Sequence, residues 1–171
     1  MSKTDPRVEW YGAIDELAAQ IGFARSVCAD AEVAGWLEAI QRDLFRVGGL
    51  IGADPQSGGR AQETGQDLLA GLDEHVKRVE ATEGILKDWA LPGAMPAAAA
   101  LDVARTVCRR AERRAVQLVE SGALSNPPTL AYLNRLSDVL WLFSRLLELR
   151  ANVENSLRDK KDRGRPWSRA W

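Results

Sequence analysis

Apolar residues recur at steps of three and four along nearly the whole chain, and this period constrains its fold most strongly. Such steps collect side chains on one face of an α-helix, whereas a half-buried strand would alternate apolar and polar residues. No strand-like alternation competes with the helical period in this sequence. Of the 171 residues, 46% are hydrophobic, which is enough to bury a sizeable core. The pattern therefore predicts one helical domain.

Five periodic segments are separated by stretches that end helices, because glycine and proline oppose helix continuation. The interrupting stretches include GADPQSGG, WALPGAMP and SGALSNPP. The predicted helices run from about Val8 to Cys28, Glu32 to Ile51, Leu68 to Lys87, Ala97 to Glu120 and Leu133 to Leu157. Five helices with connections of ordinary length predict an all-α, up-and-down five-helix bundle, and further apolar faces predict that it oligomerises.

The last 14 residues differ in composition from the rest. We predict a single bundle over residues 1–157 and a basic tail over residues 158–171, which holds six basic and two acidic residues. A run of this kind favours a solvated chain end over a functional arm, although Trp167 and Trp171 are unusual in a purely solvating tail.

Charge and residue usage exclude several classes of function. The formal net charge of −1 predicts neither nucleic acid nor a membrane as a partner, and no apolar run reaches the roughly 18 residues of a membrane span. The polar start MSKTDPRVEW does not predict a signal peptide. Two distant cysteines, Cys28 and Cys108, and the single His75 predict no disulfide framework and no metal site, and all three fit core positions. A cytoplasmic location is expected. Trp36 and Trp141 are predicted in the core, and Trp10 at a contact with a neighbouring subunit.

Charged and polar side chains lie directly beside the apolar seams of three helices. They are Asp15 in the first helix, Arg105, Arg109, Glu112 and Arg113 in the fourth, and Asn134, Ser137 and Asp138 in the fifth. A lone buried charge costs on the order of several kcal/mol. We therefore expect Asp15 or Asp138 to pair with an arginine of the fourth helix.

Two interpretations of these charges remain open at this stage. They could form interhelical or intersubunit salt bridges that fix register, or the arginines could bind an anion. Three arginines on one stripe exceed the available carboxylates, and the guanidinium fork suits phosphate. The sequence has no Gly-rich loop after a strand and no GxxxxGKT motif. Any nucleotide would therefore be held by helix side chains.

Two stretches of the chain, VARTVCRRAERR and LAYLNRLSDVLW, closely resemble the signature stretches of the PduO-type ATP:corrinoid adenosyltransferases. The first helix DPRVEWYGAIDELAAQIGFAR, the second-helix stretch IQRDLFRVGG and the loop WALPGAMPAAAALDVAR are also similar to that family. The resemblance runs from Asp5 to about Glu148, in the family's order and with compatible spacing.

The resemblance implies a homotrimeric five-helix bundle with active sites between subunits. Such an enzyme transfers the 5′-deoxyadenosyl group of ATP, which magnesium can accompany, to a reduced corrinoid such as cobalamin, and releases triphosphate. By resemblance, Arg109 and Arg113 are catalytic, and the nucleotide contacts are Arg109, Glu112, Arg113, Asn134 and Arg135. Asp15 matches an aspartate that bridges to Arg109 across the subunit interface, and Asp138 an acid that supports the site. Trp89 stands where an aromatic residue covers the lower face of the corrinoid cobalt, although a hydrophobic plug at the bundle end would also explain it.

The sequence departs from the family pattern at three places. The loop TKxGDxGxT, which precedes the first helix in the family, has no counterpart, the family's LPGG reads LPGA, and Asp102 replaces a histidine. Asp102 is expected to add negative charge near the corrin or the nucleotide. The missing loop admits a start codon placed too late, an enzyme that compensates from elsewhere, or a non-catalytic corrinoid- or tetrapyrrole-binding paralogue that has lost ATP binding. The adenosyltransferase is our main prediction and the non-catalytic binder its alternative.

Overall fold

Five α-helices form the regular structure of the part of the chain that the computed structural model describes, residues 2–52, 58–86, 89–123 and 127–157. They are α1 (Pro6–Ser26), α2 (Ala31–Gly52), α3 (Gly58–Glu80), α4 (Pro96–Glu120) and α5 (Pro127–Arg150). Within those residues, β-pairing is limited to one isolated bridge between Ala90 and Ser156. The all-α, five-helix prediction is confirmed. The tail over residues 158–171, with Trp167 and Trp171, lies outside the described residues.

Local sequence signals explain where the better-predicted helices begin. At the start of α1 the Asp5 carboxylate accepts a hydrogen bond from the Arg7 backbone N–H at 2.8 Å, and Pro6 occupies the first turn. Pro96 similarly opens α4. An N-cap carboxylate satisfies a free helical N–H, and proline has no N–H to leave unpaired. These signals lie within two residues of the predicted starts.

Two helix ends differ from the prediction. Helix α5 ends at Arg150 rather than near Leu157, because Asn152 takes a positive φ of 52°. The Asn152 N–H then donates to the Leu149 carbonyl at 3.1 Å and the Val153 N–H to the Glu148 carbonyl at 2.9 Å. This pair of bonds is the Schellman cap, which closes a helix and redirects the chain.

The bounds of α3 were predicted least well. The helix spans Gly58–Glu80 rather than Leu68 to Lys87. Its first turns, GGRAQETGQ, contain too few apolar residues to show a period, and its end is followed by Gly84 at a φ of 88°. Lys87 itself lies outside the described residues.

Side-chain pairs between helices show that neighbours in sequence run in opposite directions. Ion pairs join the first half of α1 to the second half of α4, the end of α1 to the first half of α2, and the start of α2 to the end of α3. The two helices in each of these three pairs are therefore antiparallel. Helices α3 and α5 run parallel, since Gly65 lies against Pro128 while Asp73, farther along α3, pairs with Arg135, farther along α5. The up-and-down arrangement is therefore confirmed.

The predicted apolar seams form the core, with α4 packed between α1 and α5, α3 against α5 and α2 against α1. Buried members of these seams include Ile14, Leu17, Ile21, Leu37, Leu44, Leu101, Ala104, Ala111, Leu118, Leu133, Leu136, Leu140 and Phe143. Trp36 and Trp141 are half-buried and pack against this core. Trp10 is completely buried, so the expectation that it contacts a neighbouring subunit is wrong.

Candidate functional site

Four of the five arginines of α4 divide into two groups that serve different purposes. Arg110 pairs with Glu16, and Arg114 pairs with Glu9 at 3.0 Å, so both link α4 to α1. Arg109 and Arg113 lie one residue earlier and therefore about 100° around the helix. They are exposed, and neither makes an ion pair within the described parts of the chain. The salt-bridge interpretation thus fits Arg110 and Arg114, and also Arg105, whose Nε lies 3.8 Å from a carboxylate oxygen of Asp102, whereas Arg109 and Arg113 keep their positive charge.

A hydrogen bond across α4 and α5 lies beside these two arginines. The Asn134 side-chain amide donates to a Glu112 carboxylate oxygen at 3.0 Å. Directly beneath, the buried Cys108 thiol donates to the Leu133 carbonyl at 3.2 Å. Cys108 and Leu133 lie in the buried seam, and Glu112 and Asn134 follow them by one turn of α4 and one residue of α5. Glu112 and Asn134 therefore meet at the rim of the α4–α5 groove. The structure therefore brings together Arg109, Glu112, Arg113 and Asn134, which are four of the residues that the resemblance assigns to nucleotide binding.

Asp138 lies in the same groove, one turn beyond Asn134. Burial raises the pKa of its carboxyl, while Arg135 and Arg109 act in the opposite direction. Its ion pair is with Arg135 of its own helix, at 3.3 Å, and not with an arginine of α4. Arg135 also pairs with Asp73 of α3 at 2.7 Å, so its guanidinium already meets two carboxylates.

Asp15 lies on the other side of the bundle, exposed in a cleft between α1 and α2. Among the described residues it makes no ion pair with α4, because Glu9 and Glu16 occupy the positions of α1 that face that helix. Within the described residues of one chain, neither Asp15 nor Asp138 forms the expected ion pair with an arginine of α4.

Trp89 lies in the loop between α3 and α4 and is half-buried. The loop is held by the segment after α5, since the Leu157 N–H donates to the Trp89 carbonyl at 2.9 Å. The loop leads directly into the start of α4, and Arg109 and Arg113 lie several turns farther along that helix, near and just beyond its middle. The Trp89 loop therefore lies at the end of the bundle where α4 begins and α5 ends, and the arginines lie farther along the α4–α5 groove.

Asp102 does not present its charge to the site as expected. Its side chain is buried and pairs with Arg145 at 2.7 Å, and the Ser144 hydroxyl lies 3.3 Å from the same oxygen. Arg145 also pairs with Glu148 at 3.0 Å, and all three charged side chains are almost completely buried. The carboxylate is therefore neutralised inside the bundle.

Arg145, Ser144 and Glu148 were not predicted from the sequence, although a signal was present. In WLFSRLLEL these polar residues interrupt a run that is otherwise apolar all round the helix. A helix that is apolar on every side is buried, so polar residues within it must form hydrogen bonds or ion pairs in the protein interior. Asp102, on the facing helix, is the partner that Arg145 finds.

The histidine and the cysteines occupy packing positions, as predicted. The His75 ring lies 5.1 Å from the Trp36 ring and 5.3 Å from that of Phe143, centre to centre. Burial and Arg78 lower the pKa of His75, which favours a neutral ring. Cys28 is half-buried and Cys108 buried, both as free thiols.

Among the described residues, no group of three or more histidine, cysteine, aspartate or glutamate side chains could hold a metal ion. None of the helices, over the same residues, is both long and apolar enough to cross a membrane.

Comparison with known proteins gives a consistent result. The family model "Cobalamin adenosyltransferase" matches residues 1–147. A corrinoid adenosyltransferase of Citrobacter freundii is 35% identical over 154 residues, covering 90% of this chain and 87% of that protein. One from Mycobacterium leprae is 38% identical, covering 92% and 84%. The corrinoid adenosyltransferase PduO of Salmonella typhimurium is 35% identical over 95% of this chain, which spans only 48% of that longer protein.

Solved structures agree with these relatives. A phenylalanine-to-alanine variant of the PduO-type ATP:corrinoid adenosyltransferase from Lactobacillus reuteri, complexed with cobalamin and ATP, superimposes with a TM-score of 0.80 at 31% identity, covering 92% of this chain and 88% of that one. An arginine-to-lysine variant from the same organism, complexed with ATP, gives a TM-score of 0.82 at 30% identity, covering 93% and 90%.

Proposed function

Because this chain belongs to the cobalamin adenosyltransferase family, we propose that it is a cytoplasmic enzyme that transfers the 5′-deoxyadenosyl group of ATP to reduced cobalamin. The observation that carries the proposal is the pair Arg109 and Arg113, exposed beside the Glu112–Asn134 hydrogen bond in the α4–α5 groove. The relatives described above are named as adenosyltransferases, and none of them as a non-catalytic carrier.

The two arginines suit the charge that develops in this reaction. The cobalt electron pair attacks the C5′ carbon of ATP and becomes the new cobalt–carbon bond. The C5′–oxygen bond breaks, and triphosphate leaves with the two electrons of that broken bond. Positive groups that are already in place lower the barrier for such a leaving group. We assign the leaving triphosphate to Arg113 and nucleotide binding to both arginines, because neither guanidinium meets a carboxylate of the described chain.

Glu112 and Asn134 hold this part of the site in shape. Their hydrogen bond spans the two helices that form the groove, so it fixes the spacing of α4 and α5 beside the arginines. Glu112 also balances part of the positive charge of its two arginine neighbours. Asp138 and Arg135 extend the same polar layer by one turn. We propose that all four residues line or support the nucleotide site.

Trp89 is proposed as the wall at the lower face of the corrin. A four-coordinate cobalt is easier to reduce and keeps its electron pair free, so a dry aromatic surface below it favours the reaction. The Trp89 side chain is half-buried, and its loop lies at the end of the bundle where α4 begins and α5 ends. It can therefore shield the cobalt while the nucleotide approaches from the other side.

Replacing Trp89 with alanine is expected to return bound cob(II)alamin to its five-coordinate form, because water or the axial base can then reach the cobalt. The absorption and electron paramagnetic resonance spectra of cob(II)alamin with the protein and ATP measure this directly. A Trp141→Ala variant controls for the loss of an indole elsewhere. If the Trp89→Ala spectrum equals that of the unmodified protein, Trp89 serves packing alone.

We also propose that the protein is a homotrimer with Asp15 of one subunit paired to Arg109 of the next. The cleft between α1 and α2 that contains Asp15 is lined by the apolar side chains of Tyr11, Ile14 and Leu44. Phe45, at its edge, is 74% exposed and extends these side chains into one exposed apolar patch, the kind of surface that marks a protein–protein contact. Arg109 and Asp15 have opposite charges, and neither is paired within the described chain.

Sedimentation equilibrium at micromolar concentration is expected to give the mass of a trimer, and Phe45→Glu to shift it to monomer, because a carboxylate in the apolar contact cannot be solvated. Leu86→Glu is the matched control, since Leu86 is 58% exposed and lies in the turn after α3. A monomer for the unmodified protein, or a trimer that survives Phe45→Glu, contradicts this interface.

The activity is tested by incubating the protein with ATP and cob(I)alamin under reducing, oxygen-free conditions. Formation of adenosylcobalamin and triphosphate in equal amounts supports the proposal. Binding of cobalamin without transfer would refute it and favour the non-catalytic binder.

A further inference from the structure

The loop that carries Trp89 is fastened to the chain that follows α5. The Leu157 N–H donates to the Trp89 carbonyl at 2.9 Å, and the Leu91 N–H donates to the Asn155 carbonyl at 2.7 Å. These two bonds flank the bridge between Ala90 and Ser156. The backbone position of Trp89 is therefore set by the segment 155–157.

That segment is in turn tied to α5 by a side chain. The Asn155 amide donates to a carboxylate oxygen of Glu148, which is completely buried in the last turns of α5. Burial raises the pKa of the Glu148 carboxyl, and the Asn155 amide and Arg145 act in the opposite direction. A buried carboxylate that loses a donor is penalised, so Glu148 holds the Asn155 side chain in this one arrangement.

This hydrogen bond is not required to end the helix. The Schellman cap does so through the backbone of Asn152 and Val153, independently of either side chain. What the Glu148–Asn155 hydrogen bond adds is the direction of the chain beyond the cap. That direction brings residues 155–157 alongside the Trp89 loop.

We propose that Glu148 and Asn155 are positioning residues for the corrinoid, acting through the backbone pairing that holds Trp89. This inference rests on the proposed function, because it takes the Trp89 indole as the wall beneath the corrin. The indole must lie close enough to exclude an axial ligand yet leave room for the ring. A displacement of about 1 Å at a reacting centre can cost on the order of a hundredfold in rate.

The test is Asn155→Asp, which keeps the size of the side chain but replaces the donor with a second carboxylate facing Glu148. We expect the KM for cob(I)alamin to rise about tenfold or more and the four-coordinate fraction of bound cob(II)alamin to fall, with the KM for ATP unchanged. Asn152→Asp is the control, because it makes the same change three residues earlier, where the side chain is exposed.

Reversing the polarity of the hydrogen bond provides the rescue. In the double variant Glu148→Gln with Asn155→Asp, the new glutamine amide can donate to the new aspartate, and the total charge is unchanged. Recovery of the cobalt spectrum supports the proposal even if Asn155→Asp alone fails to fold. Three results would overturn the proposal. In the first, Asn155→Asp folds and keeps the spectrum of the unmodified protein; in the second, it raises both KM values equally. In the third, the double variant folds but does not recover the spectrum. An unmodified protein that transfers no adenosyl group refutes the proposed function itself, a separate result.

Discussion

Replacing Arg113 with alanine is expected to slow adenosyl transfer about a hundredfold or more, the scale seen when one group that stabilises transition-state charge is removed. Arg113 is exposed on α4, one turn beyond Arg109 and away from the α1 carboxylates that neutralise Arg110 and Arg114. Its charge is therefore available to the leaving triphosphate. The effect should appear in kcat at saturating ATP and cob(I)alamin, because the interaction strengthens as the bond breaks.

Arg110→Ala is the matched control for this experiment. It removes the neighbouring guanidinium from the same helix, but one that pairs with Glu16. Exposed pairs of this kind contribute less than about 1 kcal/mol, so the fold should persist and kcat should change little. Equal losses in the two variants would mean that Arg113 supports α4 rather than the reaction, and an unchanged kcat in Arg113→Ala would remove it from catalysis.

Replacing Arg145 with methionine is expected to lower the free energy of unfolding by about 3–5 kcal/mol, because it leaves the buried Glu148 without its cation and Asp102 with only the more distant Arg105, at 3.8 Å. Asp102 is 5% exposed and Glu148 is fully buried, and both pair with Arg145. Methionine keeps much of the side-chain volume, so the loss reports the charge rather than a cavity. Urea unfolding measures it as a lower midpoint with an unchanged slope.

Arg42→Met is the control, since Arg42 is 77% exposed and pairs with Glu38 on the surface. Its cost should stay below about 1 kcal/mol. The stability lost in Arg145→Met should also shrink as the pH falls toward about 4.3. Burial raises the pKa of the Glu148 carboxyl, so in the folded protein this carboxyl takes up a proton at a higher pH than it does in the unfolded chain. Once protonated, it no longer needs the arginine. A cost equal to that of Arg42→Met, or one that does not depend on pH, would show that the buried network is not stabilised by Arg145.

Helix number and the apolar faces were predictable from the sequence, and so was most of the groove. A seam at steps of three and four is a property of one segment alone, so Leu101, Ala104 and Cys108 could be assigned to the core without knowing their neighbours. Arg109, Glu112 and Asn134 could be grouped because the residues beside two packed seams must meet. The ends of α3 and α5 were not predictable, because they depend on turn geometry at Gly84 and Asn152.

By itself, the sequence determined the five helices, their buried faces and the polar stripe beside them, because these follow from spacing along one helix. Only the tertiary structure decided how the charges are shared. It pairs Arg110 and Arg114 with α1 and leaves Arg109 and Arg113 free of such pairs in the described chain. It also encloses Asp102 with Arg145, which stands 43 residues away along the chain. The physical reason is that a charge is neutralised by whichever opposite charge packing brings within a few ångströms, and residues distant in sequence supply it.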